Sequence, residues 1–525
     1  MTRLSLVIVT PIIGILSYLI PKLRNEFCFL GSVLSLYFSL LIFNGTRQSL
    51  NFTKVLGKLG NHDYGLYADH FTAVVLILLS TLIFTTIIYS FRYLRGQKNL
   101  GLYYLYLLLM LAFSNAVLTF DSLLLAGMIS FIVSILGYLI FTATSEKEKI
   151  NLKLLYSFFT ADLLFIIGCF FLNRNGTALV VNSSPVEFLP NFKTIFALIL
   201  IFFSILMRFG FYPFNIYLIK NIEEFSLLGY LVFFSIVQKI LGFYFLVRFS
   251  FFIFNSENLL WLQIVMVIFS VANIVLMSKT LWHTEMIKLL LIKNEAIQTG
   301  FVVLAFSRLD SHAFIGGVLL FVCFLLSQAS IIYSLSSIHY WTKSEAIRDF
   351  SGFAEKMPVT FLLLGIATLL TIGFPPFGSF FARWFILKDL FSFSNTITAV
   401  LNALSIIGIL VGNITIVGYF TGFLNEILEP VAIDISKARE IGFTAWISPL
   451  ILLLLGFYLG AFVNKTTVLF IFTPLLKTLS NFSDLLQNQF ELSNNLFPIL
   501  IALSIIIGYN LHKKCLKQNS QKSQC

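Results

Sequence analysis

The chain has 525 residues, 58% of them hydrophobic and 11% charged, with a formal net charge of +11. A soluble domain of that composition would expose far more apolar surface than a monomer tolerates, which excludes the soluble enzyme classes. The positive charge lies mainly in loops and in the tail HKKCLKQNSQK, where it reads as topology and lipid-headgroup contact, not as nucleic-acid binding.

Apolar runs recur from end to end, roughly 14 of them at about 20 residues per span. They predict an all-α polytopic membrane protein, because barrel strands alternate in short segments and these runs are continuous. The first, LSLVIVTPIIGILSYLI (4–20), does not read as a cleaved signal: Lys22, Arg24 and Glu26 follow it with no small-residue cleavage site. A polar stretch over 45–69 leads to HFTAVVLILLSTLIFTTIIYS (70–90). DSLLLAGMISFIVSILGYLIF (121–141) predicts a span with no acid beyond its first residue, since no Asp or Glu occurs between Asp121 and Glu146. LLYSFFTADLLFIIGCF (154–170) carries Asp162, and a polar stretch over 173–193 follows.

LMRFGFYPFN (206–215) then combines an apolar run, an arginine and a Gly/Pro interruption. WLQIVMVIFSVANIVLM (261–277) and MIKLLLIKNEAIQTGFVVLAF (286–306) are further spans, and a polar stretch covers 340–357. TIGFPPFGSFFARW (371–384) repeats the design of 206–215. Such paired interruptions point to inverted-repeat transporters, because opened backbone survives at membrane depth only inside protein or beside water. A snorkelling arginine beside a proline kink is the plainer alternative at either site. EILEPVAIDISKARE (426–440) predicts an amphipathic surface segment before the span WISPLILLLLGFYLGAFV (446–463).

Ionisable residues inside spans are costly and functional by default. The candidates are Asp162, Arg208, Lys239, Lys288, Lys293, Glu295 and Arg383. Lys239, in FFSIVQKILGFYFLV, has apolar sequence on both sides and little means of reaching an interface. Lys293 and Glu295 are two apart and point to different helix faces. Lys288 has the alternative of snorkelling at a helix start, and Asp162 that of a satisfied interhelical hydrogen bond. A row of lysines and acids suggests proton or cation transfer, since burial and neighbouring charges switch a lysine. Arginine, with a pKa above about 12, is a fixed charge and not a relay member. Cys28, Cys169, Cys323, Cys515 and Cys525 show no CxxC spacing, and there is no phosphate-cradling glycine loop, HExxH or nucleophile elbow. No cofactor and no metal is expected on this chain.

If helices alternate, Lys22, Arg24, Arg92, Arg95, Lys98, Lys147, Lys149 and Lys153 share one side. Arg3, Arg47, Lys54, Lys58, Arg174 and Lys193 share the other. The short loops of the first set favour the cytoplasm and an outside N-terminus, while the basic tail leaves an odd helix count open.

At these residues the sequence resembles the antiporter-like membrane subunits of proton-pumping NADH:quinone oxidoreductase, Mrp-type cation/proton antiporters and membrane-bound hydrogenases, over about residues 60–420. YADHFTAVVLILLSTLIFTTIIYSFRYLRG resembles the long-subunit signature VDxLS…YSxxYM, with Asp69, Tyr89, Ser90 and Tyr93 in place. FTAD at 159–162 resembles RxGD without its arginine. Residues 208–239 are similar to the family's stretch from a broken-helix lysine to the next helix's lysine, which places Arg208 on the first, Glu223 on a loop glutamate and Lys239 on the last. MIKLLLIKNEAIQTGF resembles DLKRLLAYSSISxMGF and keeps Lys288, with Gln298 at its polar position. RDFSGFAEKMPVT (348–360) resembles a connecting motif, and GFPPFGSFFARWFIL is similar to GLPPxSGFFSKFLIL, which puts Arg383 on the terminal charged site.

The resemblance implies two inverted-repeat halves, each with a broken helix and a half-channel, joined by a chain of lysines and acids. It implies organisation into N-terminal helices (1–100), a first half (101–250), a second half (251–422) and C-terminal helices with a basic tail (423–525). The implied pathway residues are Lys239, Lys288, Asp162, Glu295, Arg208, Arg383 and Glu223. The sequence also departs from the pattern elsewhere: the fifth-helix glutamate is absent, arginines stand at 208 and 383, Ser327 falls near a family lysine, Phe225 and Leu227 replace prolines, and Phe233 replaces a histidine. Asp162 and Glu295 are candidate replacement acids.

The implied function is a proton-translocating subunit of an NADH:quinone oxidoreductase-like complex, with any enzyme activity belonging to that translocase as a whole. The alternatives are the ion-conducting subunit of a cation/proton antiporter or inorganic-carbon uptake system, and a transport-inactive structural subunit. Expected partners are other membrane subunits, a peripheral redox arm and lipid. The expected location is a bacterial plasma membrane.

Overall fold

The computed structural model describes Thr2–Val463 apart from residues 48–50, 60–61, 98, 145–152, 175–180, 182–190, 222–224, 254–259, 309–310, 392–395 and 431–437. Glu223, Cys515, Cys525, most of the polar stretch at 173–193 and the middle of the 426–440 segment therefore lie outside the described residues.

The chain is mostly helical and divides into two units, one over residues 1–259 and one over 260–463. In the first unit, α1 (Thr2–Val9), α2 (Gly14–Leu19) and α3 (Arg24–Arg47) precede a hairpin of β1 (Phe52–Leu59) and β2 (His62–Ala68). Then come α4 (His70–Tyr93), α5 (Leu100–Thr119), α6 (Leu123–Thr144), α7 (Lys153–Arg174), α8 (Phe192–Arg208) and α9 (Ile216–Lys220). α10 (Leu227–Tyr230) runs through a π-helical stretch, Leu231–Gln238, into α11 (Lys239–Ile253). In the second unit the order is α12 (Leu260–Leu281), α13 (Ile287–Ser307), α14 (Ser311–Thr342), α15 (Phe353–Lys356), α16 (Pro358–Ile372), α17 (Gly378–Leu390), α18 (Thr396–Leu428) and α19 (Phe443–Ala461).

Among the described residues, eleven helices are long and apolar enough to cross a membrane. The expectation of an all-α chain is amended by the hairpin, whose two strands, Phe52–Leu59 and His62–Ala68, lie within the polar stretch at 45–69. Its strands pair antiparallel from Phe52↔Ala68 to Leu59↔His62, with an irregularity between Val55 and Gly57. It closes on the α5–α6 connection, where Leu66 bridges Phe120 and Asp121 donates its N–H to Gly65. Its second strand delivers Asp69, whose side chain caps α4 by accepting from Thr72 N–H at 2.9 Å.

A helix that is apolar on all sides needs protein on all sides or lipid. Leu227–Ser250 is buried along its length, and α13 and most of α14 nearly so. By contrast α7, α12 and α19 carry exposed Leu163, Phe170, Ile268, Leu276, Leu454 and Phe457, the surface a span offers to acyl chains. The charged candidates sit on the buried helices or face them, so the fold puts its costly residues where protein can satisfy them.

Candidate functional site

Each unit contains a helix that stops inside the protein. α8 stops at Arg208, and the chain turns at Gly210, whose φ is +66°. α16 stops at Ile372, and the chain turns at Gly373, whose φ is +85°. Left-handed backbone suits glycine at a helix end, and the last carbonyls there have no partner within the helix. A buried cation meets them in both units. Lys239 Nζ donates to Phe209 O at 2.5 Å. Arg383 donates through Nη2 to Thr371 O at 2.7 Å and through Nη1 to Ile372 O. Ser379 Oγ takes Leu370 O, and Gln298 Nε2 adds a second donor to Thr371 O at 3.2 Å. A cation is also the charge that the negative end of a helix favours.

Glycine is needed at both turns for space as well. A Cβ on Gly210 would lie 2.6 Å from the Phe234 ring and 3.3 Å from Lys239 Nζ. One on Gly373 would fall on the Arg383 guanidinium. Lys239 also stands 4.0 Å from the centroid of the Phe234 ring, a favourable place for a desolvated ammonium. The π-helical stretch just before it widens the helix there, as such stretches do at functional positions.

The two arginines therefore do not play the same part, although both stand at an interruption in the sequence. Arg208 turns away from its own helix end and pairs with Asp162 of α7. Asp162 is wholly buried and accepts from Ser130 Oγ at 2.8 Å and Ser134 Oγ at 2.6 Å, both on α6. Arg208 also donates to Ser130 Oγ and to Gln238 Oε1, each at 3.0 Å, and Gln238 Nε2 returns to Ser134 Oγ at 3.3 Å. The result is a closed polar ring among α6, α7, α8 and the π-helical stretch. α6 (Leu123–Thr144) holds no acid, but two of its serines hold one.

In the second unit Glu295 is fully buried and accepts from Gln328 Nε2 at 3.0 Å, while Gln328 Oε1 accepts from Asn294 Nδ2 at 2.9 Å. One turn further along α13, Gln298 Oε1 lies 3.4 Å from Arg383 Nη2. Lys293 faces the other way, toward Thr280 O at 2.9 Å and Thr284 Oγ1 at 2.7 Å, as the two-residue spacing predicts. Lys288 stays at the start of α13 and pairs with Glu345, whose side chain is 23% exposed. The partly exposed Glu345 brings this pair toward the surface.

Several polar residues were not singled out from the sequence. Arg248 of α11 forms a two-pronged pair with Asp69, at 2.7 and 2.8 Å, and donates to Thr72 Oγ1 at 2.7 Å. Arg248 lies in the apolar run FYFLVRFSFF, the same signal that marks Lys239. Gln238, Asn294 and Gln328 are uncharged and carry no such signal. Glu440 caps α16 by accepting from Val359 N–H at 2.9 Å and Thr360 N–H at 3.1 Å, and also accepts from Trp446 Nε1 at 2.9 Å. Among the described residues, no group of three or more His, Cys, Asp and Glu is placed to hold a metal ion. Cys28, Cys169 and Cys323 are free and buried.

The Na(+)/H(+) antiporter subunit A1 of Staphylococcus haemolyticus (strain JCSC1435) is 24% identical over 511 residues, 90% of this chain and 62% of that protein. The chain thus spans under two thirds of that relative's length. NADH-ubiquinone oxidoreductase chain 4 of Chondrus crispus is 25% identical over 492 residues, 88% of this chain and 95% of that one. A chain of respiratory complex I from Thermus thermophilus, solved with bound NADH, shares the fold with a TM-score of 0.75 at 15% identity, covering 92% of this chain and 100% of its own. Residues 121–409 match the family described as NADH:quinone oxidoreductase/Mrp antiporter, TM, which is more than half of the chain. The stretch runs from α6 into α18 and takes in the Asp162–Arg208 ring, Lys239, Glu295 and Arg383. This integral membrane protein belongs to the NADH:quinone oxidoreductase/Mrp antiporter transmembrane family.

Proposed function

We propose that the chain is a proton-translocating membrane subunit of an NADH:quinone oxidoreductase-like or related complex, working beside other membrane subunits in a bacterial plasma membrane. The observation that carries this reading is the buried cation on the open end of an interrupted helix in each unit. An ammonium that both satisfies a backbone carbonyl and can release a proton couples protonation to the shape of the break. Lys239 is the group that does this. Arg383 orients its break as a fixed charge, and Asp162–Arg208 is a fixed pair. Lys288 and Glu345 are the entrance at the edge of the second unit.

The finer architecture belongs to the same proposal: about 14 spans in two inverted-repeat halves, over 101–250 and 251–422, each with one broken helix. One interrupted helix in each unit supports it. Any redox arm sits on partner subunits, and Glu223 is the loop acid of the first half.

A second reading is favoured by the similarity to a Na(+)/H(+) antiporter subunit over 90% of this chain. There the same residues exchange a proton for a cation. The test is proton flux in everted membrane vesicles from cells expressing the full chain with its neighbouring subunits. Lys239→Ala is expected to abolish flux with assembly intact. Unchanged flux would leave a structural subunit as the answer. Flux driven by an imposed Na+ gradient, and not by NADH, selects the antiporter.

A further inference from the structure

Three carboxylates are buried among the described residues: Asp69, Asp162 and Glu295. Asp69 and Asp162 each meet a guanidinium. A guanidinium only donates, so its hydrogen bonds make sense with a carboxylate and cannot be reversed. Glu295 meets an amide, and an amide has both a donor end and an acceptor end.

The polarity of that contact is continuous. Asn294 Nδ2 donates to Gln328 Oε1 at 2.9 Å, and Gln328 Nε2 donates to Glu295 Oε1 at 3.0 Å. All three side chains are fully buried. Asn294 Oδ1 has no hydrogen-bond donor among the described residues. The second Gln328 Nε2 hydrogen reaches only Leu291 O, at a long 3.5 Å.

Exchanging oxygen and nitrogen in both amides moves no other heavy atom and reverses the string. A protonated Glu295 then donates its O–H to Gln328 Oε1, and Gln328 Nε2 donates to Asn294 Oδ1, which is now idle. Two hydrogen bonds are made in either direction. Protonation of a buried acid ordinarily orphans a donor or an acceptor, at about 1–3 kcal/mol. Here the two amides keep the bond between Gln328 and the Glu295 carboxyl, and the bond between the amides, in both protonation states.

We propose that Glu295 is the proton-carrying group of the second unit and that Asn294 and Gln328 form a reversible amide pair serving both of its protonation states. This rests on the transport reading above. The units then divide the work in opposite ways. In the first, the helix end is met by a lysine and the buried acid is tied to an arginine. In the second, the helix end is met by an arginine and the buried acid is on a reversible partner. In the transfer an O–H bond forms at a Glu295 oxygen and breaks when the proton moves on, and the carboxylate returns. Proton donor and acceptor are the aqueous phases on the two sides.

Charged and titratable groups carried by the elements that form and flank the string include Lys293 on its own helix, Arg383 of α17 through Gln298, and Cys323 of α14 against Gly378. α12 adds the neutral Asn273, which donates to Ala296 O at 2.7 Å. α18 brings Tyr419 and Glu426 to the Thr284 end, where Tyr419 donates to Thr284 O.

The experiment uses the full chain with its neighbouring subunits in everted vesicles, followed by a pH dye and by infrared difference spectroscopy. Glu295→Gln is expected to lower flux roughly 100-fold, and Glu295→Asp to keep a measurable part of it. Gln328→Met, similar in volume but not reversible, should lower flux while leaving assembly intact. The infrared spectrum should show a protonated-carboxyl stretch that titrates with pH and shifts in Glu295→Asp. That band decides the matter even if Glu295→Gln fails to assemble. Loss of flux in Lys239→Ala together with full flux in Glu295→Gln would overturn the inference and keep the transport reading. Full flux in Lys239→Ala would overturn the transport reading, and absence of the shifting band would overturn the role of Glu295.

Discussion

Lys239 Nζ and the carbonyl oxygen of Phe209 are 2.5 Å apart, though the residues are 30 positions apart in the chain. The lysine closes the end of a helix it does not belong to. Lys239→Arg keeps a cation that can reach this carbonyl, but one that does not release a proton. Lys239→Ala leaves a buried acceptor without its ammonium, at about 1–3 kcal/mol. The expected pair of results is therefore lost flux in both variants, with a lowered melting temperature only in Lys239→Ala. Thermal unfolding in detergent, read beside vesicle flux, separates closing from carrying.

Arg383 closes the other interrupted helix with two prongs, onto Thr371 O and Ile372 O. An ammonium cannot reproduce a planar fork, so Arg383→Lys should lose part of the stability and Arg383→Ala more, of order 1.5–3 kcal/mol for each charge-assisted bond. Gly373→Ala should behave like Arg383→Lys. Its Cβ falls on the guanidinium, and its φ of +85° is strained for alanine. Melting temperatures of the three variants check the order. A stable Gly373→Ala with normal flux would contradict it.

Asp162 and Arg208 are both fully buried. Removing one charge of such a pair strands the other, so Asp162→Asn and Arg208→Gln should each cost about 3–5 kcal/mol. Replacing both, as Asp162→Leu with Arg208→Met, should recover most of that loss. If the pair is fixed and carries no proton, the double variant keeps flux as well as assembly. A well-folded double variant without flux would place the pair in the pathway.

Most of the intramembrane charges, though not Arg248, and both interruptions were read from the sequence, because a charge or an open backbone in an apolar run has a cost that stands out. Which charge meets which was not. Asp162 finds Arg208 across 46 residues, and Asp69 finds Arg248 across 179. Both arginines beside a Gly/Pro interruption looked alike, and only packing shows that Lys239 closes the first break while Arg208 turns to Asp162. Gln238, Asn294 and Gln328 are neutral and cost a membrane helix less than a charge does, so they stand out less in the sequence. The hairpin was hidden because a short polar stretch between spans carries a weak strand signal.

Asp69 lies just before α4, at the end of the hairpin. Burial alone would raise the pKa of its carboxyl, but Arg248 and the hydrogen bonds from Arg248 and Thr72 outweigh burial and hold it below the ordinary carboxylate value. With a depressed folded pKa, the pair stabilises the protein at every pH above the unfolded value, about 3.9. That contribution is lost as pH falls through the lower folded value. The melting temperature of the purified protein should therefore fall on acidification below about pH 4, with the loss continuing below the ordinary carboxylate range. Asp69→Asn removes the titrating group and strands Arg248, so it should melt lower at pH 7 by an amount matching about 3–5 kcal/mol. Its acid limb should be shallower than that of the wild type. Parallel limbs in the two proteins would show that other carboxylates govern acid unfolding and that the Asp69–Arg248 clamp between hairpin and α11 contributes little.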